Sequence, residues 1–164
     1  MNAIKTVMVA IGFSDYSKEI LNYAAAMANP LNADLLVASV INSRDVEAVQ
    51  AISAMGYDVD GEHYVSGIRS EREQMLAAFL KDMDFPRDRV KSIIRLGNPI
   101  DELLKITVKE NVDLVVMGIK GRSDLEHALV GSVAEKMFRR SPIAVLSYRD
   151  KKSQERLRKH IDAI

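Results

Sequence analysis

Apolar residues in this chain follow two spacings. Compact runs at Thr6 to Ile11, Ala33 to Ile41 and Asp113 to Met117 are continuous rather than alternating, which is how strands buried on both faces of a parallel sheet read. Val90 to Leu96 is less apolar, as an edge strand would be, and Pro142 to Leu146 supplies a fifth run. Between the runs, apolar residues recur at helical spacing. Ile20, Leu21, Ala24, Met27 and Ala28 predict a helix over about Tyr16–Ala28, capped by Ser14 or Asp15 and stopped by Pro30. Val46, Val49, Ile52 and Met55 predict a short helix ending at Gly56, after which Gly61 and Gly67 mark loop. A longer helix from about Ser70 to Met83 turns Met75, Leu76, Phe79 and Leu80 inward. Asn98 and Pro99 read as N-cap and first helical residue, with Ile100, Leu103, Leu104, Ile106 and Val108 as the buried face up to Asn111. Five strands alternating with about four main helices predict an α/β protein with an open, doubly wound parallel sheet and helices on both faces.

The loop after the fourth strand carries the candidate chemistry. Gly118-Ile-Lys-Gly121 breaks the strand, and Gly131-Ser132 opens a helical pattern before the last strand. Glycines let backbone N–H groups approach a ligand closely, and a helix N-terminus is a ready anion site. A phosphate chain is the natural guest. The plainer reading is a turn at Gly118 and Gly121 and a capping box of Ser132 with Glu135. Three glycines with a serine, set between two buried strands, favour the phosphate cradle. Neither a P-loop Gly-Lys-Ser/Thr nor a Gly-x-Gly-x-x-Gly after a strand occurs.

Bulk properties narrow the classes. The 164 residues are 48% hydrophobic and 28% charged, which suits one globular domain of ordinary size. Twenty-three basic side chains balance 23 acidic ones, so no bulk electrostatic reason exists to expect nucleic acid or a membrane surface as partner. Zero cysteines exclude disulfides, thiolate metal sites and thiol catalysis. The chain start runs straight into the first strand without a leader pattern, and no apolar run reaches membrane-spanning length. A cytoplasmic location is the expectation. His63, His127 and His160 are scattered, with no Gly-x-Ser-x-Gly or His-Glu-x-x-His. His63 and Tyr64 read as loop decoration, and His127 lies in the spacer before Gly131. The tail from Arg149 to Ile164 is basic, with Leu157, Ile161 and Ile164 at helical spacing, and is read as a short helix in preference to a frayed end.

Gly118-x2-Gly121-x9-Gly131-Ser132 resembles the Gly-x2-Gly-x9-Gly-Ser/Thr signature of ATP-binding members of the universal stress protein family. The likeness extends to Val7–Ile11 followed by Phe13-Ser14, to Gly97-Asn98-Pro99 and to Ser141–Val145. It implies a Rossmann-like sheet in the order 3-2-1-4-5, a domain over residues 1–148 and a separate tail over 149–164. In that order the ligand crevice falls at the switch between strands one and four. The resemblance further implies a stress-response regulatory or protective protein that binds ATP or a related adenine nucleotide, accompanied by Mg or Mn. Gly118, Gly121, Gly131 and Ser132 would receive the phosphates, with Gly12, Arg122 and Val133 completing the set. The adenine would lie against Val40, with Ile41 beside it. A homodimer would form through the last strand, Pro142–Leu146.

One residue departs from the pattern. Nucleotide-binding relatives usually carry Asp before the Phe-Ser at the end of the first strand, where this chain has Gly12. Loss of one charged hydrogen bond is worth about 1.5–3 kcal/mol, or roughly ten- to hundredfold in affinity. Two other functions therefore stand beside nucleotide binding: a nucleotide-independent interaction module, and a slow ATPase or self-phosphorylating enzyme at Ser132. For the enzyme, the sequence offers no evident base.

Overall fold

Strand β1 (Thr6–Ala10) runs through the middle of a five-stranded, all-parallel sheet in the order β3-β2-β1-β4-β5. The computed structural model describes residues 3–119 and 130–164. The other strands are β2 (Asp34–Asn42), β3 (Val90–Gly97), β4 (Leu114–Gly118) and β5 (Ala144–Tyr148). Among the described residues the helices are α1 (Ser17–Ala28), α2 (Ser43–Ala54), α3 (Gly61–Lys81), α4 (Pro99–Lys109), α5 (Ser132–Arg140) and α6 (Lys151–Ile161).

The alternation of side chains along β1 divides the core. Val7, Val9 and Ile11 face one way and pack with Leu21 and Ala24 of α1 and Leu76 of α3, against which Met75, Phe79 and Leu80 also lie. Met8 faces the other way and packs with Ile100, Leu103 and Ile106 of α4 and with Ala134 and Met137 of α5. A strand buried on both sides has no room for polar side chains, which is why its run of apolar residues is unbroken. At the opposite end from the crevice, the Asp113 carboxylate accepts the N–H groups of Lys5 at 2.8 Å and Thr6 at 2.9 Å. That contact holds the start of β1 to the start of β4 and leaves their carboxyl ends to form the site.

Three local expectations change. The third helix begins at Gly61 rather than Ser70: Asp60 caps it by accepting the Glu62 N–H at 3.0 Å. A Cβ at Gly61 would lie 3.1 Å from Gln50 Cγ, so this glycine marks the close approach of α2 and α3, not a loop. Gly67 also lies inside α3, where it costs about 1 kcal/mol relative to alanine. The first helix starts at Ser17 with Tyr16 as N-cap, and neither Ser14 nor Asp15 supplies a side-chain cap. Val108, expected in the buried face of α4, is exposed, and Thr107 takes the inward place, its hydroxyl donating to the Leu103 carbonyl at 2.9 Å. The basic tail forms α6, capped by Asp150 accepting from the Ser153 N–H, while Ile161 and Ile164 stay exposed.

At α4 the expected cap is present. The Asn98 side-chain oxygen accepts the N–H of Ile100 at 3.2 Å and of Asp101 at 3.5 Å, and Pro99 follows. Asn98→Ala should lower stability by about 1 kcal/mol, a fall in Tm of about 2–4 °C for a chain of this size. Asn98→Ser should restore most of it; thermal denaturation followed by circular dichroism checks both.

Candidate functional site

The carboxyl ends of β1, β2 and β4 open into a pocket of about 330 Å³. Its floor is Ala10, Ile11 and Gly12 from the end of β1, Ala38 and Val40 from β2, and Met117 and Gly118 from β4. Its walls come from both faces of the sheet: Ser17 and Ile20 of α1 and Arg72 of α3 on one side, Pro99 and Leu103 of α4 and Gly131 to Ala134 at the start of α5 on the other. This is the place where the strand order reverses, between β1 and β4, and where open α/β sheets have room for ligands.

The α5 wall is a helix start aimed at the pocket. Gly131 is the N-cap and Ser132 the first helical residue, with no side-chain cap bond. The capping box expected from Ser132 and Glu135 does not form. Glu135 instead sends its N–H to the Gly131 carbonyl at 3.0 Å, and its carboxylate meets Arg139. The N–H groups of Ser132, Val133 and Ala134 thus have no partner within the helix, and all three residues line the pocket. The Gly131 N–H donates to the Ile119 carbonyl at 2.6 Å, which ties the start of α5 to the segment leaving β4. At the far end of α5, Arg140 meets Asp101 of α4 at 3.2 Å.

The opposite wall is polar in a different way. Phe13 adopts a φ of +56°, an unusual conformation for a bulky residue, while its side chain stays buried and stacks on Phe79 with ring centroids 6.2 Å apart. The Arg72 guanidinium lies 5.8 Å from the centre of the Phe13 ring, and its Nη1 donates to Ser39 Oγ at 2.9 Å. Arg72 is 7% exposed. Ser17 is 1% exposed, and its hydroxyl has no hydrogen-bond partner among the described residues.

Of the residues expected from sequence, Gly12, Val40, Gly118, Gly131, Ser132 and Val133 line this one pocket. Gly121 and Arg122, together with Lys120 and His127, lie outside the described residues. Ile41 is 2% exposed and is absent from the pocket lining. His63 sits on the first turn of α3, exposed, with Nδ1 2.6 Å from the Asp60 carboxylate. That hydrogen bond raises the imidazole pKa and lowers the carboxyl pKa. Neither His63 nor Tyr64 reaches the pocket.

Sequence reasoning passed over Arg72 and Ser17, although the signal was present. Arg72 stands four residues before Leu76 and seven before Phe79, on the inward stripe of α3, and Ser17 stands three before Ile20 and four before Leu21, on the inward stripe of α1. A cation and a hydroxyl on apolar stripes are the exception there.

Known proteins share both the sequence and the fold. The profile described as the Universal stress protein family matches residues 3–149. The chain belongs to the universal stress protein family. It is similar to universal stress protein MJ0577 of Methanocaldococcus jannaschii, at 25% identity over 157 residues, 91% of this chain and 97% of that one. The solved structure of MJ0577 matches with a TM-score of 0.74, over 92% of this chain and 99% of that one. Universal stress protein Rv1636 of Mycobacterium tuberculosis is 30% identical over 149 residues, 89% and 97% of the two chains. A universal stress protein solved in complex with cAMP is 27% identical, with 90% and 99% covered and a TM-score of 0.59.

Among the described residues the pocket lining offers few groups that would hold a metal. Asp45 is the one carboxylate among the described lining residues, and it is exposed on the first turn of α2. Among the described residues no three His, Cys, Asp or Glu side chains gather into a metal-ligand group. A Cβ built at Gly12 meets nothing within 4 Å, so the space a carboxylate would fill in relatives is open.

Because Ser132 is the first helical residue and Gly131 the N-cap, Ser132→Ala should change stability by less than about 0.5 kcal/mol. Loss of a true N-cap would cost about 1 kcal/mol. Chemical denaturation decides between the two.

Proposed function

We propose that this universal stress protein binds an adenine nucleotide, ATP or a close relative, in the pocket at the β1/β4 switch. The observation that carries this reading is the joining, in one pocket, of an apolar end and an anion-binding end. Val40, Ala38, Met117 and Leu103 offer apolar contact suited to a purine. The N–H groups at the start of α5, which have no partner within the helix, belong to residues that share the lining with Gly118, an arrangement suited to phosphate oxygens. A volume of about 330 Å³ lies within the range of small-molecule sites, and the related protein solved with cAMP adds support from an adenine nucleotide.

The reading is of binding, not of hydrolysis. Asp45 alone among the described lining residues is a carboxylate, and no histidine accompanies it there, so the described part of the lining offers no group that favours hydrolysis over binding. A binding protein of this kind acts through the partners or conformations that its nucleotide selects. Strand β5 stands at the sheet edge with Val145 and Leu146 only half-buried, and an edge of that kind pairs readily with a second copy. A homodimer through β5 is therefore part of the proposal. Light scattering should give the mass of two chains at micromolar concentration; a monomer would remove the dimer and leave the site.

Isothermal titration with ATP is the direct test of binding. Saturable heat and a rise in Tm are expected, and their absence across ATP, ADP, AMP and cAMP would overturn the reading. Gly12→Asp should strengthen ATP binding in Mg²⁺ by roughly ten- to hundredfold, since the new side chain enters open space.

A further inference from the structure

We propose that the groove between α2 and α3 seats the C-terminal helix α6 of a second copy of this chain. The inference stands apart from the nucleotide pocket and from the β5 dimer. It begins with α6, an 11-residue helix that lies beyond the residues 3–149 matched by the family profile. A helix of that length is marginal in water without a surface to pack on. Along it only Ser153 is buried and only Leu157 half-buried. Leu157 and Ile161, four residues apart, share one face, and Ile164 follows just past the helix end. Ile161 is 65% exposed and Ile164 96%. The helix is covered near its start and bare at its end.

At the other edge of the sheet a groove of about 430 Å³ opens between α2, α3 and the end of β3. Val46, Val65 and Leu96 give it an apolar lining, beside Gly61 where the two helices approach closely. Glu62 and Glu73 also line it, and both are exposed. Arg69, the one cation among its described lining residues, sends Nη1 to the Ile94 carbonyl at 3.0 Å. In the connection between the helices, Met55 and Tyr57 stand 76% and 66% exposed.

Charge decides the occupant. Residues 43–81, which hold α2 and α3, carry seven acidic and four basic side chains, whereas residues 149–164 carry six basic and three acidic. The neutrality of the whole chain conceals an excess of three negative charges on the hairpin and three positive charges on the tail. An amphipathic helix laid into an apolar groove is a recurring mode of recognition, and this chain carries both halves of it. Opposite charges steer such surfaces together and fix their register. The groove lies at the β3 edge and α6 follows β5 at the opposite edge. The contact is therefore head-to-tail, and it builds rings or chains of copies rather than closing at two.

Sedimentation velocity of the full chain, from micromolar concentration upward, tests this. Species larger than two chains are expected as concentration rises, and added salt should weaken them. Ile161→Asp with Ile164→Asp, both at exposed positions, should weaken that association roughly tenfold or more. Glu62→Lys with Glu73→Lys should do so from the groove, and Arg158→Glu with Lys159→Glu from the helix. Mixing the last two charge-reversed chains should restore assembly, because each helix then meets a groove of opposite charge. Melting curves verify the fold of every variant. Association that stops at two chains, that survives any of these substitution pairs, or that mixing does not restore overturns the inference. None of these outcomes bears on nucleotide binding, and a dimer that outlasts the substitutions is the one through β5.

Discussion

A parallel strand with neighbours on each side and helices over both faces can carry polar chemistry only where it ends. That constraint acts most strongly on β1, whose Val7, Met8 and Val9 are wholly buried. It concentrates the polar groups of the centre of this fold at the carboxyl ends of β1 and β4, where the direction of the chain reverses. The remaining elements serve that boundary. Asp113 closes the opposite end of the sheet by binding the backbone of Lys5 and Thr6, Asn98 and Pro99 start α4 beside the opening, and Gly131 starts α5 across it. The pocket is what remains between helices that must begin where strands stop.

The two walls of that pocket differ in the source of their polar groups. At α5 they are peptide dipoles and N–H groups that no helical carbonyl takes, which any sequence able to start a helix there would supply. On the α1/α3 side they are side chains, the buried Ser17 hydroxyl and the Arg72 guanidinium that bonds Ser39 and lies beside Phe13. Gly12 lies between them without a carboxylate.

Most of the fold was legible because buried parallel strands are compact apolar runs, and all five were found where the runs lie. Their edges were less legible. Residues 142 and 143 fall outside β5 because Pro142 has no N–H to offer and Ser141 takes the Ile143 N–H at 3.3 Å. Gly61 was read as loop because spacing along a chain cannot show that another helix passes within contact distance. Ser132 was read as a cap because Ser-x-x-Glu fits that box, and the backbone placed the cap one residue earlier. For the site, the glycines and Val40 were legible through their motif. Arg72 and Ser17 were not, because a polar residue on an inward stripe gains meaning only when the fold shows which end of the sheet the stripe reaches.

The central claim is that one pocket joins an apolar purine seat to an anion-binding helix start at the β1/β4 switch. A crystal structure of the protein grown with ADP tests it most directly. The account predicts density for the base against Val40, with phosphate oxygens within hydrogen-bonding distance of the Ser132 to Ala134 amides. A nucleotide seated elsewhere, or a pocket closed by the protein's own side chains at saturating ADP, would contradict it.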